Sequence, residues 1–247
     1  MNKIVKRILI VIGIIALLFT LISVGFIMKF KSETKGMHII ETKKIIDNIY
    51  SINDSFVNLF LIQDGNQYIA VDAGNNIEKV TGELKKLNIN PDKIIAVMLT
   101  HTDRDHVAAL KLFKNAKVYF SAQEVQMING KKSKFLFFGN KIDSKEYTLL
   151  QDQQMLTIGN IKIKGILTPG HTSGSMCYLV NDKYLFVGDA LSIKDGKIGK
   201  FNEFFNMDHK MAIKSIVNIT KLPEAEYIFS AHYGYTNDYK NAVKDWK

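Results

Sequence analysis

Residues 101–106 read His-Thr-Asp-Arg-Asp-His. Two imidazoles and two carboxylates in one short run can bind a metal ion or move a proton, and such ligands with little sulfur suit zinc, manganese or iron. Four of the chain's 6 histidines follow runs that read as strands: His101 and His106 after IIAVMLT (94–100), His171 after KGILTPG, and His232 after YIFSA. Asp189 closes another such run, KYLFVGD (183–189). A lone loop histidine is more often solvated than ligating. Four of them, beside Asp103, Asp105 and Asp189, point to a metal centre. Residues 101, 103 and 105 alternate and would face one way in an extended segment, with His106 turning in from a helix start.

The elements that must position these residues are legible in outline. FVNLFLI (56–62) and YIAVDAG (68–74) read as paired strands around the turn Asp64-Gly65-Asn66. Residues 76–87 show helical spacing at Ile77, Val80, Leu84 and Leu87. IIAVMLT suits a strand buried on both faces. HVAALKLF (106–113) predicts a helix and KVYFS (117–121) a strand, whereas 121–150 is Lys-rich and yields no assignment. IKIKGIL (161–167), SMCYLV (175–180) and KYLFVGD predict three strands, followed by a helix at about 208–221 and the strand EYIFS (226–230). Alternating elements of this kind predict one α/β domain, with the site at the carboxyl ends of its strands.

The N-terminus differs in character. Ile8 to Met28 carries no charge, and at 1.5 Å per residue it reaches about 30 Å, the thickness of a bilayer's hydrocarbon core. It is longer than the apolar region of a cleavable signal peptide, and no small-residue cleavage site ends it. The reading is a basic flank (1–7), a transmembrane anchor (8–28), a polar tether (29–44) and a soluble domain (45–247) of a single-pass cell-membrane protein. Lysines flank both ends of the anchor, so orientation is nearly balanced; a short charged tail before an apolar run leans the domain outside the cytoplasm.

The 247 residues are 47% hydrophobic with a net charge of +9. Nearly all the positive charge is lysine; Arg7 and Arg104 are the arginines. Sequence-specific nucleic-acid binding, which relies on arginine forks, is not expected. Cys177, the single cysteine, can form no internal disulfide and sits in an apolar run as a small buried side chain. His209 reads as a surface residue at a helix start. Arg104 either meets a substrate anion or points to solvent.

The ordered set HTDRDH, His171 in TPGHTSGS, Asp189 in VGDA and His232 in SAHYG resembles the metallo-β-lactamase superfamily, with Asp72 in VDAG matching a buried aspartate behind its site. The resemblance spans residues 45 to about 236. It implies a four-layer αββα sandwich and two divalent metal ions, zinc by default. One would be held by His101, Asp103 and His171, the other by Asp105, His106 and His232, with Asp189 bridging. It also implies a hydrolase that uses a metal-bound hydroxide on a small-molecule substrate, with Asp105 moving the proton. Asp103 departs from the family's usual histidine. A carboxylate there favours harder ions such as iron or manganese, ligates zinc with a shorter reach, or leaves the first position weak. Asp189 stands where the best-known zinc β-lactamases carry cysteine, which favours an ester, thioester, lactone or phosphoester over a β-lactam. Two other readings stay open: an iron-dependent redox enzyme of the same fold, and a binding or sensory module weakened in catalysis.

Overall fold

Strands whose residues are apolar on both faces need cover on both faces, and this chain supplies it by facing two sheets against each other with helices outside. The computed structural model describes residues 2–134, 139–144, 146–222 and 225–246. It contains two compact units, one up to Met37 and one from His38 onward.

The first unit is a single helix, α1 (Lys3–Thr34), with every apolar side chain of the 8–28 run outward and no residue buried. It is long and apolar enough to cross a membrane, a requirement a signal sequence also meets. The stretch expected as a tether, 29–44, divides between the two units. Residues 29–34 are the last turns of α1, and the second unit has already begun at His38, whose amide donates to the His232 carbonyl (2.8 Å). The Ile40 amide likewise donates to Asn58 Oδ1 (2.8 Å).

In the second unit the chain first runs through β1 (Lys43–Ile46), β2 (Ile49–Asp54), β3 (Val57–Asp64), β4 (Gln67–Val71), helix α2 (Ile77–Lys86) and β5 (Ile94–Met98). There follow α3 (Arg104–Val107), β6 (Lys117–Ser121), α4 (Val125–Ile128) and β7 (Tyr147–Leu150). These seven strands form one sheet in sequential order, antiparallel as far as β4 and parallel from β4 to β7. The second half comprises β8 (Met155–Ile158), β9 (Ile161–Leu167), β10 (Met176–Val180), β11 (Tyr184–Gly188), the hairpin β12 (Leu191–Lys194) and β13 (Lys197–Lys200), α5 (His209–Ile219), β14 (Tyr227–Ser230), β15 (Tyr235–Thr236) and α6 (Tyr239–Val243). Its main sheet runs β15-β14-β11-β10-β9-β8, with β11 and β14 parallel.

Between the sheets lie Phe60, Ile62 and Met98 from the first and Tyr178, Phe186 and Phe229 from the second. The Phe60, Phe186 and Phe229 rings pack at 4.8–5.5 Å between centroids, which adds geometric preference to plain burial. A second cluster joins the outer face of the first sheet to α2 through Val80 and Leu84. A third joins the second sheet to α5 and α6 through Ile216, Ile219 and Val243. This is the expected αββα layering. Cys177 is fully buried in the third cluster, where burial pushes its thiol up to about 12.

The helix expected over 106–113 is cut short. The His106 carbonyl accepts from the Ala73 amide (2.8 Å) instead of continuing the helical ladder, and the Ala109 amide turns to the Gly74 carbonyl (3.3 Å). One turn of α3 and a 3-10 turn (Leu110–Leu112) remain. Tertiary bonds to the end of β4 outweigh helix propensity here.

Candidate metal centre

The seven residues singled out in the sequence come together at one end of the sandwich. His101, Asp103, Asp105 and His106 leave the carboxyl end of β5; His171 lies beyond β9, Asp189 directly beyond β11, and His232 beyond β14. The His171 Nε2 stands 3.1 Å from Asp103 Oδ2 and 3.2 Å from Asp189 Oδ2. His101 Nε2 is 3.4 Å from Asp103 Oδ2. On the other side, His232 Nε2 is 3.3 Å from both Asp105 Oδ2 and Asp189 Oδ2, and His106 Nε2 is 3.5 Å from Asp189 Oδ1. Asp189 therefore touches both halves.

Each imidazole is oriented from behind through Nδ1. His106 donates to Asp72 Oδ2 (2.9 Å), His232 to the Phe56 carbonyl (2.6 Å), and His171 faces Asn206 Oδ1 (3.3 Å). His101 Nδ1 meets Thr100 Oγ1 (3.0 Å), whose hydroxyl donates onward to Asp72 Oδ2 (2.9 Å). This fixes the ring orientations and turns all four Nε2 atoms inward, as metal-ligating histidines require. Among the described residues, the buried side-chain atoms with no hydrogen-bond partner are His101 Nε2, His106 Nε2, Asp189 Oδ1 and Ser173 Oγ. Three of these four lie in this cluster. Orphaned buried nitrogens and a carboxylate oxygen converging on one point fit a divalent cation and little else.

The local backbone is shaped for this convergence. Asp72 adopts φ +63°, a costly conformation for a residue with a side chain, and in it accepts from both the Thr100 amide (2.7 Å) and His106. Gly188 has φ +52°, and a Cβ there would lie 2.5 Å from Thr100 Oγ1. Only glycine lets Asp189 follow the strand so closely against the β5 loop.

Four carboxylates, Asp72, Asp103, Asp105 and Asp189, share this buried space, so positive charge must accompany them. Burial opposes the charged form of His232, but Asp189 and Asp105 outweigh it and lift the imidazole to about 10. Burial alone would raise Asp105; the charges of His106 and His232 hold it down at about 2. Burial followed by the Lys134 charge lowers His171 to about 4.

Sequence reasoning missed three residues. Glu124 is fully buried; its Oε1 accepts from the Thr102 amide and hydroxyl (2.8 and 2.7 Å), and its Oε2 from Thr172 Oγ1 and the Gly174 amide (2.7 and 3.1 Å). One carboxylate thus ties the His101 loop to the His171 loop. Asn140 Nδ2 donates to Asp103 Oδ1 (2.9 Å). The Lys134 ammonium donates to Asp103 Oδ2 and lies 2.6 Å from His171 Nε2. All three come from the 121–150 stretch, where periodicity is absent, and no local pattern marked them. Arg104 is exposed. His209, at the first turn of α5, is half-buried beside Glu203 and Asn206.

The profile of the metallo-beta-lactamase superfamily matches residues 52–232. The chain belongs to the metallo-beta-lactamase superfamily. Within the superfamily it is similar to the probable polyketide biosynthesis zinc-dependent hydrolase BaeB of Bacillus velezensis, 33% identical over 50% of this chain and 49% of the relative. A hydroxyacylglutathione hydrolase of Buchnera aphidicola is 31% identical over 79% of this chain and 66% of its own length. The chain thus spans from about half to two-thirds of these curated relatives. Among solved structures of the superfamily, a B3 metallo-beta-lactamase with an active-site glutamic acid superposes with a TM-score of 0.66 at 17% identity, covering 89% of this chain and 90% of its own. BJP-1, a subclass B3 enzyme of Bradyrhizobium japonicum, gives 0.63 at 15% identity, covering 80% of each. Both likenesses concern the fold.

Proposed function

We propose that this chain is a membrane-anchored, metal-dependent hydrolase acting on a small ester, thioester, lactone or phosphoester. The observation that carries the reading is the set of four imidazoles held through Nδ1, with their Nε2 atoms aimed at Asp103, Asp105 and Asp189. The seven residues fall into a group of His101, Asp103 and His171 and a group of Asp105, His106 and His232, which Asp189 joins. Zinc is the first candidate ion, as in the relatives named zinc-dependent hydrolases; Asp103 also suits iron or manganese. A divalent ion held there supplies Lewis acidity and brings the pKa of a coordinated water from 15.7 to about 7.

The chain's own residues supply the rest. Asp105 and Asp103, with side chains 23% and 17% exposed, form the open side of an otherwise buried cluster, so substrate approaches across them. Asp105 takes the proton of the attacking water as oxygen bonds to the acyl or phosphoryl centre. It returns that proton to the departing oxygen or sulfur as the old bond breaks. Thioester cleavage is favoured by the hydroxyacylglutathione hydrolase relative, and Asp189 in place of a sulfur ligand agrees with it. The anchor is α1, and the short charged tail before its apolar run, the form of a signal anchor, leans the domain outside the cytoplasm.

The test is elemental analysis of purified protein joined to a panel of thioester, lactone, phosphodiester and β-lactam substrates, with Asp105→Asn as the control. Metal-dependent turnover of one of the first three classes, reduced by at least about a hundredfold in the variant, is the expected result. Protein that retains no metal, or that turns over only a β-lactam, would sink the reading. Iron content with redox turnover and no hydrolysis would install the oxidative alternative, which Asp103 alone favours.

A further inference from the structure

Lys134 inserts an ammonium among the candidate ligands. Its side chain is 10% exposed, and its ammonium meets Asp103 Oδ2 and, at 2.6 Å, His171 Nε2. These are two of the three ligands of the first group. His171 Nδ1 faces Asn206 Oδ1, so its Nε2 presents a lone pair; a lone pair 3.1 Å from the Asp103 carboxylate needs a positive donor beside it, and Lys134, in contact with both, provides it. Asn140 then donates to the other oxygen of Asp103, which completes the carboxylate's partners without any ion.

The remaining ligands show the opposite pattern. His101 Nε2, His106 Nε2 and Asp189 Oδ1 are buried without partners, and these three residues form a ligand group of their own, with donor atoms within 4.8 Å of one another. Asp105 and His232 lie beside them. Lys134 already pairs with Asp103, so a second divalent ion would have to displace it from that carboxylate.

We infer that Lys134 stands in for the first metal ion, so that the chain holds a single divalent ion, among His101, His106, Asp189, Asp105 and His232, with Asp103 serving as the lysine's counter-ion. The inference rests on the metal-hydrolase reading above and deepens it. It also gives Asp103 a reason: a neutral histidine at that position would leave the ammonium without a carboxylate partner. Position 134 therefore determines how many ions the site takes.

The test uses the full-length protein in detergent, saturated with zinc, freed of loose metal on a chelating resin and assayed for zinc per chain, alongside zinc-dependent thermal melting. The wild type is expected to retain one zinc. Lys134→Ala and Lys134→Met, the latter keeping the aliphatic stem, are expected to retain two and to show a second, weaker zinc-dependent rise in melting temperature. Lys134→Arg, which keeps the positive charge, should retain one. Two zinc ions on the wild type would overturn the inference and leave the metal reading intact. One zinc on both neutral variants would likewise overturn it. No zinc on any form would overturn the metal reading and the inference together.

Discussion

At the scale of single residues, Asp72 shows how much of the site lies outside its ligands. Its carboxylate collects the Thr100 amide, the Thr100 hydroxyl and His106 Nδ1, and it therefore sets the direction of two imidazoles at once. Asp72→Asn tolerates the same left-handed backbone but loses the charge behind His106. Metal affinity should fall roughly 10–100-fold, read by competition with a chromogenic chelator, while the circular dichroism spectrum stays that of the parent. Asp103 makes the complementary case. Asp103→His restores an imidazole and removes the carboxylate that engages Lys134, so the variant should take up zinc in preference to iron or manganese when all three are offered. A variant with the parent's metal preference and content would place Asp103 outside the determinants of the site. The seven candidate ligands were legible because four of them share one short run and the rest end apolar strands. Glu124, Lys134 and Asn140 were not, because each acts through tertiary contacts to loops distant in sequence, which leave no periodicity or spacing behind.

Elements were legible where a continuous apolar run or helical spacing marked them; β2, buried at Ile49, Ser51, Ile52 and Asp54, mixes polar residues into its buried positions and was not read. The central strands β3, β4, β5, β9, β10, β11 and β14 all fall within their expected apolar runs to a residue or two, because both faces are covered. The edge strands β1, β7 and β8 are short and half-exposed, so no apolar run announced them. α2 was legible from its apolar spacing, and its charged side carries a testable property. Burial would push the Glu83 carboxyl up, yet hydrogen bonds from Lys86, Thr42 and Lys79 outweigh it and hold it at about 2. A carboxyl depressed in the folded state from its ordinary value of 4.5 stabilises the fold above that value and loses the contribution as pH falls toward 2. Urea midpoints taken between pH 5 and pH 2 should therefore fall less steeply in Glu83→Gln than in the parent. Equal slopes would mean that the three hydrogen bonds do not hold the group.

At the scale of the whole molecule, the chain joins two units with opposite solvent preferences. The apolar side chains of α1 are exposed along its length, whereas the unit from His38 onward has its own buried clusters. Full-length protein should sediment with membranes and resist extraction by high salt, and a fragment beginning at Met37 should remain soluble with a cooperative thermal transition. Full-length chain in the soluble fraction without detergent would exclude the anchor. Because both sheets contribute to the centre, chelation should raise amide hydrogen exchange at 100–106, 170–175, 189–190 and 231–233 together. Exchange at Leu61, Val97 and Phe186, deep in the sheets, should stay unchanged.

The division of the site between the two sheets also fixes when in the protein's life an ion can be captured. His101 to His106 leave the ribosome long before His232, and folding proceeds from the N-terminus as synthesis does. A nascent chain that has exposed only the first sheet offers a short, acidic, incomplete run to the surrounding metal pool and cannot close around what it binds. The fold must therefore be nearly finished before the site can choose its ion. For the metal centre proposed above, the composition of the pool where the last strand docks, rather than where synthesis begins, would decide which ion the site takes.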